Sequence, residues 1–138
     1  MIKPYNPELV NLILTHSRGT HYVTGFSNGS EIACERESDK YVKHTGMKGD
    51  TTFARSLDKS GTITFSLKHD SPSNKLLYTL SEGDTTFDTQ LVDGNDVSKS
   101  KAGGTECVIM KPANLTRGSE IAEQEWVIAV PSLDMKYE

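Results

Sequence analysis

Hydrophobic residues occur at every second position in two segments of the chain, residues 61–68 and 125–130. In 61–68 this alternation places apolar side chains on one face and polar side chains on the other, and in 125–130 the large apolar residues alternate with Glu125, Val127 and Ala129. Both patterns predict half-buried strands. The second strand is expected to end at Pro131, which has no N–H to donate to a ladder. Together with the helix described below, these strands predict a core made of Ile63, Phe65, Leu67, Leu76, Leu80, Trp126, Ile128 and Val130.

Six further segments are short, rich in β-branched or aromatic residues, and bounded by Gly, Asn, Asp or Pro, which predicts additional strands. They are residues 9–15, 21–24, 31–37, 41–45, 85–92 and 105–111. Turn-rich stretches are expected at 26–30, 46–51 and 94–104, the last as a mobile loop. The fold class predicted is mainly β, with antiparallel sheets in a single domain spanning residues 1–138.

One segment departs from the period of two. Ser71 and Pro72 suit a helix N-cap followed by proline at the first helical position, and leucines at 76, 77 and 80 share one helical face. Gly83 suits a left-handed residue after the last turn. These signals predict one helix over residues 71–82.

Residues 31–45 combine acidic and apolar positions. In the predicted strand 31–37, glutamates alternate with Ile32 and Cys34, and strand 41–45 is expected to return as the second arm of a hairpin. Such a hairpin is either a solvated face or a sheet edge offered to a neighbouring subunit. The hypothesis assigns to assembly the residues Glu31, Glu35, Glu37, Asp39, Tyr41 and Lys43.

Composition narrows the classes of function. The chain is 35% hydrophobic and 25% charged, and it has no apolar run near the ~18 residues that span a bilayer, so no membrane insertion is expected. No signal peptide is recognised at the start, which predicts synthesis in a cytoplasm. The formal net charge of -4 argues against a protein that grips nucleic acid through its phosphates.

No motif predicts catalysis, a cofactor or a metal site. The four histidines at 16, 21, 44 and 69 are scattered, and the serines lack a nucleophile elbow. Cys34 and Cys107 match no zinc spacing, and we expect both to be small buried thiols without a disulfide. The prediction is therefore a protein that is not an enzyme.

The order of features resembles the small tail tube proteins of contractile-tailed bacteriophages. The resemblance rests on segments distributed over nearly the whole chain. They are Tyr5-Asn6-Pro7, Gly25-Phe26 with Asn28-Gly29, the Glu35–Glu37 strand, Lys43–Gly49, Arg55 leading to Ser60–Phe65, Ser71–Asn74, Met110-Lys111-Pro112 and Glu120–Trp126.

The resemblance implies two packed antiparallel sheets with one flanking helix, in subunits that form stacked hexameric rings around a channel. It implies as partners other copies of the chain, a tail sheath protein, a tape measure protein, baseplate and tail terminator proteins, and viral DNA in transit. The implied location is the virion tail, assembled in the host cytoplasm. Residues expected to face the lumen are Thr62, Thr64, Ser66 and Glu125.

Two alternatives stay open. One is a tube subunit of a bacteriocin-like tail or of a secretion system, which would have the same structural role in a different particle. A monomeric β-sandwich binding module would instead require a concave aromatic platform, whereas the chain has one tryptophan, which the alternation places in the core.

Overall fold

The computed structural model describes residues 4–27, 31–120 and 122–137. After a short 3-10 turn at Pro7–Leu9, these residues form ten strands and one α-helix. The strands are β1 (Val10–His16), β2 (Gly19–Tyr22), β3 (Ala33–Arg36), β4 (Tyr41–Thr45), β5 (Thr51–Arg55), β6 (Gly61–Lys68), β7 (Phe87–Asp93), β8 (Ser100–Ile109), β9 (Glu123–Val130) and β10 (Asp134–Tyr137), and helix α1 is Ser73–Glu82. The mainly β fold predicted from the sequence is confirmed.

Eight of the strands form one antiparallel hydrogen-bonded sheet, and seven of them follow each other in a single path. Its order is β2-β1-β7-β8-β9-β6-β3, and β10 pairs with β8 beside this path. β8 is the strand shared by the two halves: its first part pairs with β7 and β10, and its last residues pair with β9. We call the half containing β2, β1, β7 and β10 the first sheet, and the half containing β9, β6 and β3 the second sheet.

The core forms from the inward faces of both sheets. Ile63 lies opposite Ile128 and Phe65 opposite Trp126, so the two alternating segments share a buried face. Leu12 and Leu14 of the first sheet belong to the same buried cluster. The buried hydrophobic residues also include Val23, Leu67, Leu77, Leu80, Phe87, Cys107, Ile109, Val130 and Leu133. Of the expected core residues, Leu76 is only partly buried and packs against this cluster.

β8 changes its partners at Glu106, which has a left-handed φ of 55°. The register between β7 and β8 shifts at the same place, between Phe87 and Thr89. A bulge of this kind bends a strand and increases its twist, which allows one strand to serve two sheets. The bend therefore brings the inward faces of the sheets together.

Helix α1 begins and ends differently from the prediction. Pro72 occupies the N-cap position, but the Ser71 hydroxyl accepts a 3.3 Å hydrogen bond from the backbone N–H of Ser73 and so satisfies one free N–H of the first turn. Gly83 is extended at φ -82°, so the expected left-handed ending is wrong. The Trp126 indole N–H donates to the Asn74 side-chain oxygen at 2.9 Å, which fastens the helix to β9.

Several predicted boundaries are corrected by the structure. The expected loop at 94–104 is a strand from Ser100 onward, and β5 and β10 were not predicted. The expected hairpin of 31–37 with 41–45 is wrong, because β3 pairs with β6 while β4 pairs with β5. Part of the predicted turn at 26–30, residues 28–30, lies outside the described residues.

Candidate assembly surfaces

The strands β4 and β5 form a two-stranded sheet that projects from the rest of the fold. We call residues 41–55, which comprise both strands and their turn, the arm. Every residue of β4 and β5 is exposed, and the two strands pack mainly on each other. An isolated two-stranded hairpin is marginally stable in water. The arm therefore gains little stability from contacts with the rest of this chain.

The arm continues a ladder that begins in the second sheet. Arg36 of β3 lies opposite Gly61 of β6, and Tyr41 lies opposite Arg55. The chain thus runs out along β3 and β4, turns, and returns along β5 and β6. The turn is closed by a 2.7 Å hydrogen bond from the Gly46 N–H to the Asp50 carbonyl, and Gly49 supplies the left-handed φ of 84°.

One face of the arm carries aromatic and cationic side chains together. The register places Tyr41 opposite Arg55 and Lys43 opposite Phe53, so these four side chains share a face. The rings of Tyr41 and Phe53 meet edge to face with centroids 6.4 Å apart. Lys40 Nζ lies 5.4 Å from the centre of the Tyr41 ring. We call Tyr41, Lys43, Phe53 and Arg55 the aromatic-cationic face.

The base of the arm is held by a hydrogen-bonded loop. The Asp58 carboxylate accepts hydrogen bonds from the backbone N–H and hydroxyl of Ser60 and from the Ser38 hydroxyl, with the shortest at 2.7 Å. These bonds favour the ionised form and hold the pKa of Asp58 below its usual value. The Arg36 guanidinium donates two bonds to the Leu133 carbonyl, which ties the root of the arm to the segment before β10.

The residues assigned to assembly from the sequence are divided among β3, the arm, and the segments before and between them. Glu35 is an exposed residue of β3, opposite Thr62, while Tyr41 and Lys43 belong to the arm. Glu31, Glu37 and Asp39 are exposed and lie before and between these strands. Phe53 and Arg55 were not among the residues predicted to take part in assembly. The turn Gly46–Asp50 lies between two β-rich segments, and this pattern predicts a hairpin that has the turn as its tip.

The outward face of the second sheet carries the residues expected to face the lumen. Thr64 lies opposite Val127 and Ser66 opposite Glu125, and Thr62 shares their face on β6. The threonines and Ser66 are half-buried, whereas Glu125 is exposed. On this face, a groove of about 570 Å³ is lined by Glu123, Glu125 and Val127 and by Met110–Asn114 and Thr116 of the preceding segment. We call it the acidic groove.

In the eight-stranded sheet, β2, β3 and β10 each have one long edge that pairs with no other strand among the described residues. β2 and β3 are the two ends of the hydrogen-bonded path, and β10 is the outer strand beside β8. Unpaired edges expose N–H and C=O groups that can pair with another chain. The fold thus offers both a projecting arm and open edges to neighbouring molecules.

A histidine and a serine form a contact that the sequence did not predict. His21 Nε2 lies 2.9 Å from Ser73 Oγ, which also accepts from the Thr24 N–H. Burial, assisted by the nearby His16, lowers the pKa of His21. Ser73 is fully buried and His21 is half-buried, so the pair joins β2 to the start of the helix.

The two thiols are free, and they differ in exposure. Cys107 is buried, as expected, but Cys34 is only partly buried, which corrects the expectation that both are buried. Burial raises the pKa of Cys34 to about 11. Within 4–27, 31–120 and 122–137, no three histidine, cysteine or acidic side chains are placed to hold a metal ion, and no helix is long and apolar enough to cross a membrane.

The fold is that of tube and tube-end proteins of contractile injection systems. The chain is similar to the tube-terminating cap of the anti-feeding prophage (TM-score 0.54, 12% identity, covering 100% of this chain and 94% of that one). It is also similar to a chain of the PVC sheath-tube complex, an extracellular contractile injection system in the extended state (TM-score 0.59, 12% identity, 98% and 93%). A third match is to the PVC sheath/tube terminator (TM-score 0.57, 11% identity, 98% of each chain).

The sequence itself matches no protein-family profile and no curated protein. At these identities the likeness establishes the fold, and it extends over essentially the whole chain. The tail-tube fold predicted by resemblance is confirmed, and the matched proteins are structural components of tubes and their ends.

Proposed function

We propose that this chain is a non-enzymatic tail tube subunit, which assembles as stacked hexameric rings into the channel of a contractile bacteriophage tail. The observation that carries the proposal is the whole-chain likeness to tube and tube-terminator proteins, with a TM-score of up to 0.59. The sequence resemblance to phage tail tube proteins supports the same role independently. The partners would be the sheath, tape measure, baseplate and terminator proteins, and the location would be the virion tail.

Ring formation has a physical basis in the open edges. β2, β3 and β10 carry unpaired backbone groups, and pairing them with identical neighbours around a closed ring would satisfy those groups. Contacts between different surfaces of identical subunits generate rings when the rotation closes, and they generate filaments when it does not. A tube uses both: closed contacts within a ring and open contacts between rings.

The lumen would be lined by the outward face of the second sheet, including Thr62, Thr64 and Ser66. Hydroxyl side chains carry no positive charge that would hold phosphates, and the chain as a whole has a net charge of -4. DNA can therefore pass without being bound. DNA ejection through this channel is part of the proposal.

The arm would join one ring to the next. Removing it should cost the monomer little, because the arm packs mainly on itself. Replacing residues 41–55 with a short Gly-Ser linker is expected to give a folded monomer with a nearly unchanged thermal midpoint. Its circular dichroism spectrum should lose only the strand signal of β4 and β5, and the variant should no longer form tubes.

The experiment that tests the function is negative-stain electron microscopy of the purified protein, with tail-initiation components supplied as a nucleus. Rings or tubes are expected. A protein that stays strictly monomeric at high concentration under these conditions would contradict the proposal. Tyr41→Ser with Phe53→Ser should impair tubes, whereas Tyr78→Ser, at an exposed helical tyrosine of similar accessibility, is the matched control.

The matched structures also favour a second candidate, a tube subunit of a bacteriocin-like or other injection machine, because two of the three belong to an extracellular contractile injection system. Particles purified from a producing culture separate the two, since a phage contains packaged DNA. A monomeric carbohydrate-binding module is less well supported, because the single tryptophan is 3% exposed and cannot form a binding platform.

A further inference from the structure

The arm and the rest of the chain carry opposite net charges. Residues 41–55 contain three basic side chains and one acidic side chain, whereas the remainder contains twelve basic and eighteen acidic side chains. A cationic projection on an acidic body would attract the body of another copy. The aromatic pair Tyr41–Phe53 adds apolar surface that is exposed in the isolated chain, with Phe53 63% exposed.

The acidic groove is complementary to this face. Its floor presents Glu123 and Glu125 next to the exposed Val127, and Met110 and Pro112 contribute apolar wall. Among the residues that line the groove, Lys111 is the one with a basic side chain. Outside the groove, Lys68 lies opposite Glu123 on the neighbouring strand and reduces the local negative charge. Glu125 faces Ser66, so its carboxylate has a neutral neighbour across the sheet.

The spacing of the charges also matches. Lys43 and Arg55 lie diagonally across the arm, since Lys43 is opposite Phe53 and Arg55 opposite Tyr41. Diagonal neighbours in an antiparallel pair are about 7–8 Å apart. Glu123 and Glu125 are two residues apart on one strand, about 7 Å at 3.4 Å per residue. Two cations can therefore meet two carboxylates at once.

The arm and the acidic groove lie toward opposite ends of the second sheet. β6 starts at Gly61, next to the base of the arm, and ends at Lys68, which lies opposite Glu123. Eight residues of strand separate these points, about 24 Å. Copies stacked head to tail along the strand direction would bring the arm of one to the groove of the next, and such a contact repeats without closing.

We infer that the aromatic-cationic face of the arm docks into the acidic groove of a second copy in the adjoining ring, where Lys43 and Arg55 pair with Glu125 and Glu123. The inference rests on the proposed tube function and names the surface that receives the arm. It also assigns Glu125, which the resemblance placed in the lumen, to the contact between rings.

Charge reversal and its repair test this contact. Lys43→Glu with Arg55→Glu, and separately Glu123→Lys with Glu125→Lys, should each raise the critical concentration for tube formation at least about tenfold. The decisive variant is the fourfold reversal in one chain, which restores opposite charges at every contact and should restore assembly.

Two matched controls change net charge equally at exposed sites elsewhere. They are Arg18→Glu with Lys75→Glu, and Glu82→Lys with Asp84→Lys. Both should assemble like the parent. Circular dichroism and thermal midpoints should be unchanged in every variant, because all these side chains are exposed. Raising the salt toward about 1 M, where the Debye length is ~3 Å, should weaken assembly of the parent.

The outcomes separate the two proposals. A parent protein that forms no rings or tubes contradicts the tube function itself. A parent that forms tubes, with reversal variants that assemble normally, overturns only the docking inference. Failure of the fourfold reversal to restore tubes, when both double variants have lost them, places the receiving surface elsewhere and also overturns it.

Discussion

Replacing Trp126 with alanine tests which faces of the second sheet are buried. Trp126 is 3% exposed, lies opposite Phe65 in the ladder, and donates its indole N–H to Asn74 at 2.9 Å. The substitution removes a large side chain from the core and one hydrogen bond to the helix. Both losses act on the junction between helix α1 and β9.

The expected cost is about 3–5 kcal/mol, the usual range for a buried aromatic residue changed to alanine. Phe65→Ala should cost a similar amount, because Phe65 is 1% exposed and also contacts Phe26 edge to face. Trp126→Phe keeps most of the apolar volume and loses the hydrogen bond, so we expect about 1–2 kcal/mol. These losses compare with a total stability of about 5–15 kcal/mol for a domain.

Urea denaturation followed by far-ultraviolet circular dichroism measures these losses, since the single tryptophan cannot report on its own replacement. Val127→Ala on the outward face of the same strand is the control, and it should cost under about 1 kcal/mol because Val127 is 40% exposed. Losses below about 1 kcal/mol in both Trp126→Ala and Phe65→Ala would refute the assigned faces.

Three further predictions follow from local features. Glu106→Gly should raise the unfolding free energy by up to about 1 kcal/mol, because glycine tolerates the left-handed φ, whereas Glu106→Ala should not; a loss in urea denaturation would contradict this. The ionised Asp58 carboxylate stabilises the fold at pH values above its ordinary pKa of 3.8, and this contribution disappears as the pH falls through the lowered pKa. The urea midpoints of the parent and of Asp58→Asn should therefore converge in acid and separate near neutrality. Cys34→Ser with Cys107→Ser should remain insensitive to reductant, as should the parent, and a reductant-dependent thermal midpoint of the parent would show a disulfide.

Local pattern determined much of the fold. The alternation in residues 61–68 and 125–130 identified two strands and the face of each that is buried, because a period of two assigns side chains to faces without knowledge of the partner strand. The helix was also predictable from its leucine spacing, although its first residue is Ser73, two residues later than expected.

Strand pairing was decided by tertiary structure. The sequence gives no direct signal that β3 pairs with β6 and not with β4, since neighbouring strands pair by default and the polar residues 38–40 suggested a tight tip. The longer hairpin forms because Cys34 reaches the same core as Ile63, while β4 finds its partner across the turn at Gly46–Asp50.

The two assembly surfaces likewise depended on the folded chain. Lys43 and Phe53 are ten residues apart and become neighbours only through the register of β4 with β5. The acidic groove forms because β9 brings Glu123 and Glu125 beside residues 110–116. Sequence periodicity fixes which side chains share a strand face, but it does not fix which strands meet, because that choice depends on contacts between distant residues that only the packed core selects.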